Sequence, residues 1–118
     1  MFTYCLITKG RRDYLPRTLE SLKEALLHPD VQVIVVDNGC PEDISEMLKI
    51  WCDSTSAKSH YVRFDVNDTS APRVWRMLRG FEIEWISFPG DDDIVCPDFL
   101  KHARCYIEGD GNLSAIAS

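Results

Sequence analysis

Residues 31–36 read VQVIVV, a nearly unbroken β-branched run that stops abruptly at DNGCPED. A strand that presents apolar side chains to both sides must be covered on both faces, which is the situation of a central strand in a parallel α/β sheet. Two-layer all-β and all-helical architectures are therefore disfavoured. The rest of the chain agrees, because short apolar runs alternate with amphipathic stretches along its whole length.

The sequence predicts a first strand over Phe2–Ile7. Asp13 is placed to cap the next helix, with Pro16 in its first turn and Leu15, Leu19, Leu22 and Leu26 as its buried stripe, and His28-Pro29-Asp30 closes it. A second helix carries Ile44, Met47, Leu48 and Trp51, and the polar run 53–59 separates it from the strand HYVRFDV. There Val62, Phe64 and Val66 alternate with polar neighbours, as expected nearer a sheet edge. A third helix follows through Val74, Trp75 and Leu78 to Gly80; IEWISF (83–88) is the next strand. Asp98 is placed to cap a last helix through Phe99, Leu100, Ala103 and Ile107, and LSAIA (113–117) reads as a further strand. The expected order is β-α-β-α-β-α-β-α-β, one α/β domain over residues 1–118 with a mostly parallel, Rossmann-like sheet.

Composition limits the partners. The 118 residues carry 13 Lys and Arg against 19 Asp and Glu, a net charge of −6, and contain no long basic run, so a nucleic-acid or anionic-membrane surface is not expected. The apolar start of the chain is too short for a membrane span and lacks the basic n-region of a signal peptide, which points to a cytoplasmic protein. Five cysteines without a CxxC pair favour reduced thiols over a disulfide framework or a zinc site.

In an open parallel sheet, ligands collect at the carboxyl ends of the strands, near the switch in strand order. Three polar segments are expected there: TKGRRD after the first strand, DNG after the second and GDDD after the fourth. Asp91, Asp92 and Asp93 are hard oxygen donors suited to Mg²⁺ or Mn²⁺ that bridges to substrate phosphates; the competing reading is a solvated acidic turn at a helix N-terminus. An EF-hand register from Asp91 fails at Val95, Cys96 and His102. A phosphorylated receiver, with Asp37 as phosphoacceptor, lacks the acidic cluster after the first strand, where Lys9, Arg11 and Arg12 stand.

The segments CLITKGRRDYLPRTLESL, VIVVDNG, SAPRVWRMLRGFEIEWISFPGDDD and IVCPDFL together resemble the GT-A nucleotide-sugar glycosyltransferases, the large family that includes many bacterial polysaccharide and lipopolysaccharide transferases. The resemblance spans essentially the whole chain and implies a metal-dependent transferase that binds a UDP- or GDP-linked sugar for transfer to a hydroxyl acceptor. It implies nucleotide contacts at Thr8, Gly10, Arg11, Asp37, Arg73 and Asp91, and a divalent cation, Mn²⁺ or Mg²⁺, on Asp92 and Asp93. Two registers of the Asp-x-Asp segment stay open, one ending on Asp92 and Asp93 and one formed by Asp91 and Asp93. The family's domain continues into an acceptor-binding half, so the chain is expected to be its nucleotide-binding half, incomplete at the C-terminus. No catalytic base is identified; neither Glu108 nor Asp110 has a spacing that marks it. A non-catalytic nucleotide-binding module is the alternative. An unpaired sheet edge and the apolar groups Trp75, Trp85 and Tyr106 make a homodimer the expected form of association.

Overall fold

A computed structural model describes residues 1–64 and 70–109. Along the chain lie β1 (Phe2–Thr8), α1 (Leu15–Ala25), β2 (Val31–Asp37), α2 (Glu42–Thr55), β3 (Ser59–Arg63), α3 (Ala71–Leu78), β4 (Trp85–Ser87) and α4 (Phe99–Gly109). The four strands form one sheet in the order β3-β2-β1-β4. Each neighbouring pair is parallel. The expected strand at 113–117 and the position of Val66 lie outside the described residues.

Side chains alternate across a strand, so β1 and β2 each feed two cores. Tyr4 and Leu6 of β1, with Val31, Val33 and Val35 of β2, pack against Leu15, Leu19, Leu22 and Leu26, against Ile44, Leu48 and Cys52 of α2, and against Leu100 and Ala103 of α4. On the opposite face Cys5, Ile34 and Val36 meet Phe64 and the Val74 and Leu78 of α3. VQVIVV is thus buried on both sides, as its composition requires. Its one polar member, Gln32, is satisfied inside the fold: its side-chain amide donates to Thr3 Oγ1 (2.9 Å) and to the Glu82 carbonyl (2.7 Å).

Several boundaries differ from the sequence reading. Asp13 does not cap α1; Tyr14 holds the cap position without a side-chain bond. The first amides of the helix are served by main chain instead, Leu15 N–H by the Arg11 carbonyl at 2.9 Å and Arg17 N–H by the Tyr14 carbonyl at 3.1 Å. Helix α2 runs on to Thr55, into the stretch read as a linker, because Cys52 is buried one turn beyond Leu48. Trp75 is exposed while Val74 and Leu78 face the sheet, since successive residues point about 100° apart on a helix. Strand β4 is only three residues long, for its pairing reaches only Phe2, Thr3 and Tyr4 of β1.

Candidate functional site

The strand order moves outward from β1 through β2 to β3 and then returns to place β4 on the other side of β1. The switch point therefore lies between β1 and β4, where the loops leaving their carboxyl ends diverge and leave a crevice. Register puts Thr8 beside Asp37 and Asp37 beside Arg63, a row of three polar residues across the carboxyl ends of β1, β2 and β3.

The loop after β1 turns at Gly10, whose φ of +92° lies in the left-handed region open to glycine. A Cβ there would meet Ile44 Cγ2 and Pro41 Cδ, each at 3.2 Å, so the bare glycine also lets the loop lie against the start of α2. Its N–H donates to Thr8 Oγ1 at 2.9 Å. The turn aims Arg11 and Arg12 in different directions. Arg12 forks onto Asp43 in the first turn of α2, with Nη2 donating to Oδ1 at 2.8 Å, and Arg11 reaches across the crevice to the aspartates.

These contacts show how the three adjacent carboxylates are tolerated. Thr8 Oγ1 donates to Asp91 Oδ2 at 2.8 Å. Arg11 Nε lies 3.4 Å from Asp91 Oδ1 and its Nη1 lies 3.2 Å from Asp92 Oδ2. Asp93 Oδ2 accepts from the Gly90 N–H at 2.9 Å, closing a turn in which Asp93 N–H also bonds the Gly90 carbonyl at 3.1 Å. Gly90 lets the carboxylates close over the turn, because a Cβ would stand 2.8 Å from Asp93 Oδ2 and 3.0 Å from Asp92 Oδ1 and would push those side-chain ends aside. A hydroxyl, a guanidinium and a backbone amide thus share the charge.

Two residues of the quoted segment to which the motifs gave no task in the site hold the acidic loop from below. Thr18 Oγ1 lies 2.5 Å from the Asp93 carbonyl and 3.1 Å from that of Asp91. Ser21 Oγ accepts from Val95 N–H at 3.0 Å and donates to the Thr18 carbonyl at 2.7 Å. The signal was in the sequence: Thr18 and Ser21 share the buried side of α1 with Leu15, Leu19 and Leu22, and hydroxyls on an apolar stripe need partners.

Asp37 is 0% exposed. Its Oδ1 accepts from Cys40 N–H at 2.8 Å, and its Oδ2 from Ser45 Oγ and Tyr61 OH at 2.5 Å each and from Arg63 Nη1 at 3.2 Å. Burial pushes this carboxyl up, but the hydrogen bonds from Ser45, Tyr61 and the Cys40 amide outweigh it and hold the group below the usual carboxylate range. A side chain so enclosed is closed to a phosphoryl donor. Around it, Asn38 N–H bonds the Thr8 carbonyl and Phe64 N–H bonds the Asp37 carbonyl, each at 2.9 Å, tying the three strand ends together.

Arg73 stands apart from the Arg11–aspartate cluster. It belongs to α3 and lies 4.4 Å above the Phe64 ring, beside the end of β3, and lines an open groove with Ser70, Pro72, Arg76 and Met77. Cys5, Cys40 and Cys52 are buried and their thiols are pushed up to about 12, chiefly by desolvation; all five cysteines are free. Among the described residues no group of three or more His, Cys, Asp or Glu is arranged to hold a metal ion.

The sequence profile of Glycosyl transferase family 2 matches residues 3–118. The chain belongs to that family. The fold of this family 2 chain is shared with solved structures. It superposes on S. aureus TarS 1–349 with a TM-score of 0.73 at 16% identity, covering 99% of this chain and 38% of that one. For the complex of TarS 1–349 with UDP-GlcNAc the values are 0.74, 18%, 99% and 37%. The mannosyltransferase PcManGT from Pyrobaculum calidifontis, in complex with GDP-Man and Mn²⁺, gives 0.74 at 17% identity over 90% of this chain and 32% of that one. This family 2 chain therefore spans well under half the length of each of these solved chains. No curated protein matches the sequence.

Proposed function

We propose that the chain binds a nucleotide-diphosphate sugar, UDP- or GDP-linked, at the crevice between β1 and β4, and that it forms the donor-binding part of a metal-dependent glycosyltransferase. The observation that carries this reading is the convergence of Thr8, Arg11, Asp91 and Asp92 from two distant loops at the strand switch point. Membership of the family and its fold-sharing with TarS in complex with UDP-GlcNAc and with a mannosyltransferase in complex with GDP-Man and Mn²⁺ support it.

Each residue has a task in this reading. Thr8 and Gly10 shape the first loop, and Arg11 offers a planar fork of N–H donors to the diphosphate. Arg73 lies at the side of the nucleotide. Asp37 contributes through the floor it organises, fixing Tyr61, Arg63 and Ser45 beneath the nucleotide. Asp91 takes a polar contact of the nucleotide, while Asp92 and Asp93 hold the cation. Mg²⁺ and Mn²⁺ are commonly held by one or two carboxylates together with substrate phosphates, so adjacent carboxylates without an all-protein cage suit a cation shared with a diphosphate. When bound, the cation supplies compensation for charge that develops on the leaving group.

In the transfer, an acceptor hydroxyl oxygen forms a bond to the anomeric carbon while the bond from that carbon to the phosphate oxygen breaks. The nucleoside diphosphate leaves with the electron pair, and the hydroxyl proton passes to a base outside the residues assigned here. Arg11 binds the departing diphosphate more tightly as its charge grows, which is the differential binding that lowers a barrier. Reduced thiols at all five cysteines support a cytoplasmic location, and no described helix is long and apolar enough to cross a membrane.

Calorimetric titration with UDP and GDP tests the reading. Binding is expected to be much tighter with Mn²⁺ or Mg²⁺ than with chelator, and Asp92→Ala is expected to weaken the metal-dependent binding by about tenfold or more, since a cation ligand is lost. Equal affinity with metal, with chelator and in Asp92→Ala, with Asp91→Ala and Asp93→Ala run beside it, would remove the metal bridge. The reading also includes a homodimer built on exposed apolar groups such as Trp75 and Tyr106. Sedimentation should show a concentration-dependent dimer that Trp75→Lys weakens, and a monomer at all concentrations would rule it out.

A further inference from the structure

We propose that Arg11 is the built-in countercation of Asp91 and Asp92 and exchanges these carboxylates for the diphosphate, so that diphosphate binding exposes the oxygens that take the metal. This rests on the donor-binding reading above and adds an order and a coupling to it.

The geometry sets up a competition. Arg11 Nε and Nη1 address Asp91 Oδ1 and Asp92 Oδ2, the second of them an oxygen of the carboxylate assigned to the cation and the first its immediate neighbour. Among the described residues, Arg11 is the sole cation paired with that segment; the other supports, Thr8 Oγ1 and Gly90 N–H, carry no charge. A cation arriving alone must therefore displace a guanidinium or share its carboxylates.

The pairing is also easy to release. The Arg11 side chain is 61% exposed and that of Asp92 47%, so solvent screens their attraction. Asp91, at 13%, is held independently by Thr8 and keeps its place when Arg11 leaves. A diphosphate offers the guanidinium a bidentate partner of higher charge than either carboxylate. Once Arg11 turns to it, Asp91, Asp92 and Asp93 are left with their mutual repulsion and a raised affinity for a divalent cation. Metal and diphosphate then favour each other, and linkage makes the effect reciprocal. Arg12 cannot substitute, because it is committed to Asp43 on the far side of the loop.

The test compares wild type, Arg11→Gln and Arg12→Gln by titration with MnCl₂ alone, followed by free-Mn²⁺ electron paramagnetic resonance, and with inorganic pyrophosphate alone by calorimetry. Pyrophosphate reads the diphosphate chemistry whichever base the donor carries. Arg11→Gln is expected to bind Mn²⁺ alone about threefold to tenfold more tightly, as an exposed ion pair to two carboxylates is removed, and pyrophosphate more weakly. Arg12→Gln should change neither. Loss of structure cannot imitate this pattern, because it would weaken both. An Mn²⁺ affinity in Arg11→Gln equal to or below wild type, or a gain matched by Arg12→Gln, overturns the exchange. If Asp92→Ala still loses metal-dependent UDP or GDP binding in that case, the donor-binding reading stands without it. If Mn²⁺ binds neither wild type nor Arg11→Gln, with or without UDP, GDP or pyrophosphate, both fall.

Discussion

Asp37→Ala should lower the stability of the chain by about 2–4 kcal/mol, since hydrogen bonds to a charged group are worth about 1.5–3 kcal/mol each and buried donors lose their acceptor. The substitution strips acceptors from Ser45, Tyr61, Arg63 and the Cys40 amide at once. Arg63 and the Tyr61 hydroxyl can turn partly to water, but Ser45 is buried. Urea denaturation measures the loss, and a cost below about 1 kcal/mol, the net worth of one ordinary hydrogen bond, would show that the hub is not a keystone. The pH dependence has a definite sign. The folded carboxyl is depressed below its unfolded value of about 3.9. Its contribution is therefore complete above that value and is lost as the pH falls through the lower folded value. Asp37→Ala should abolish that part of the acid sensitivity. Nucleotide affinity should fall as well, because the floor of the proposed site is built on this group.

Gly10→Val should be comparably severe, costing about 3 kcal/mol or more. A β-branched residue at φ +92° is strained by about 1–3 kcal/mol. The new Cβ, 3.2 Å from both Pro41 and Ile44, adds an overpacking cost of about 1–3 kcal/mol. The loop has few ways to yield, since Cys40, Pro41 and Ile44 are fixed by the start of α2. If it yields by lifting away, Arg11 leaves the aspartates and Thr8 loses the Gly10 N–H. Denaturation and nucleotide titration should therefore report coupled losses, with Gly10→Ala between wild type and valine. A Gly10→Val chain of wild-type stability and affinity would show that this turn does not set the site.

Much of the architecture was legible because it depends on local periodicity. VQVIVV demanded cover on both faces, and the leucines at 15, 19, 22 and 26 could share a face only on a helix. Those constraints, with the other apolar runs, pointed to the α/β class and to the approximate sites of all four described strands. Boundaries were less legible. Asp13 has the right chemistry for a cap, yet free carbonyls at Arg11 and Tyr14 take the helix amides first. Val74 and Trp75 are adjacent in sequence and equally apolar in appearance, but only packing against Phe64 and Ile34 decides which faces inward.

The site divides along the same line. Residue types and order by themselves determined that three polar segments follow strands and that the acidic one needs compensation, because strand–loop alternation and like-charge repulsion are properties of the chain. Tertiary structure alone decided what compensates it: Thr8 and Arg11, 80 or more residues away along the chain from Asp91 and Asp92, reach them only because β4 lies beside β1. It likewise decided that Asp37 is enclosed by Ser45, Tyr61 and Arg63 and that Thr18 holds the acidic loop from below. Such contacts depend on strand order and register, which place residues distant in sequence within bonding range and which no local pattern encodes.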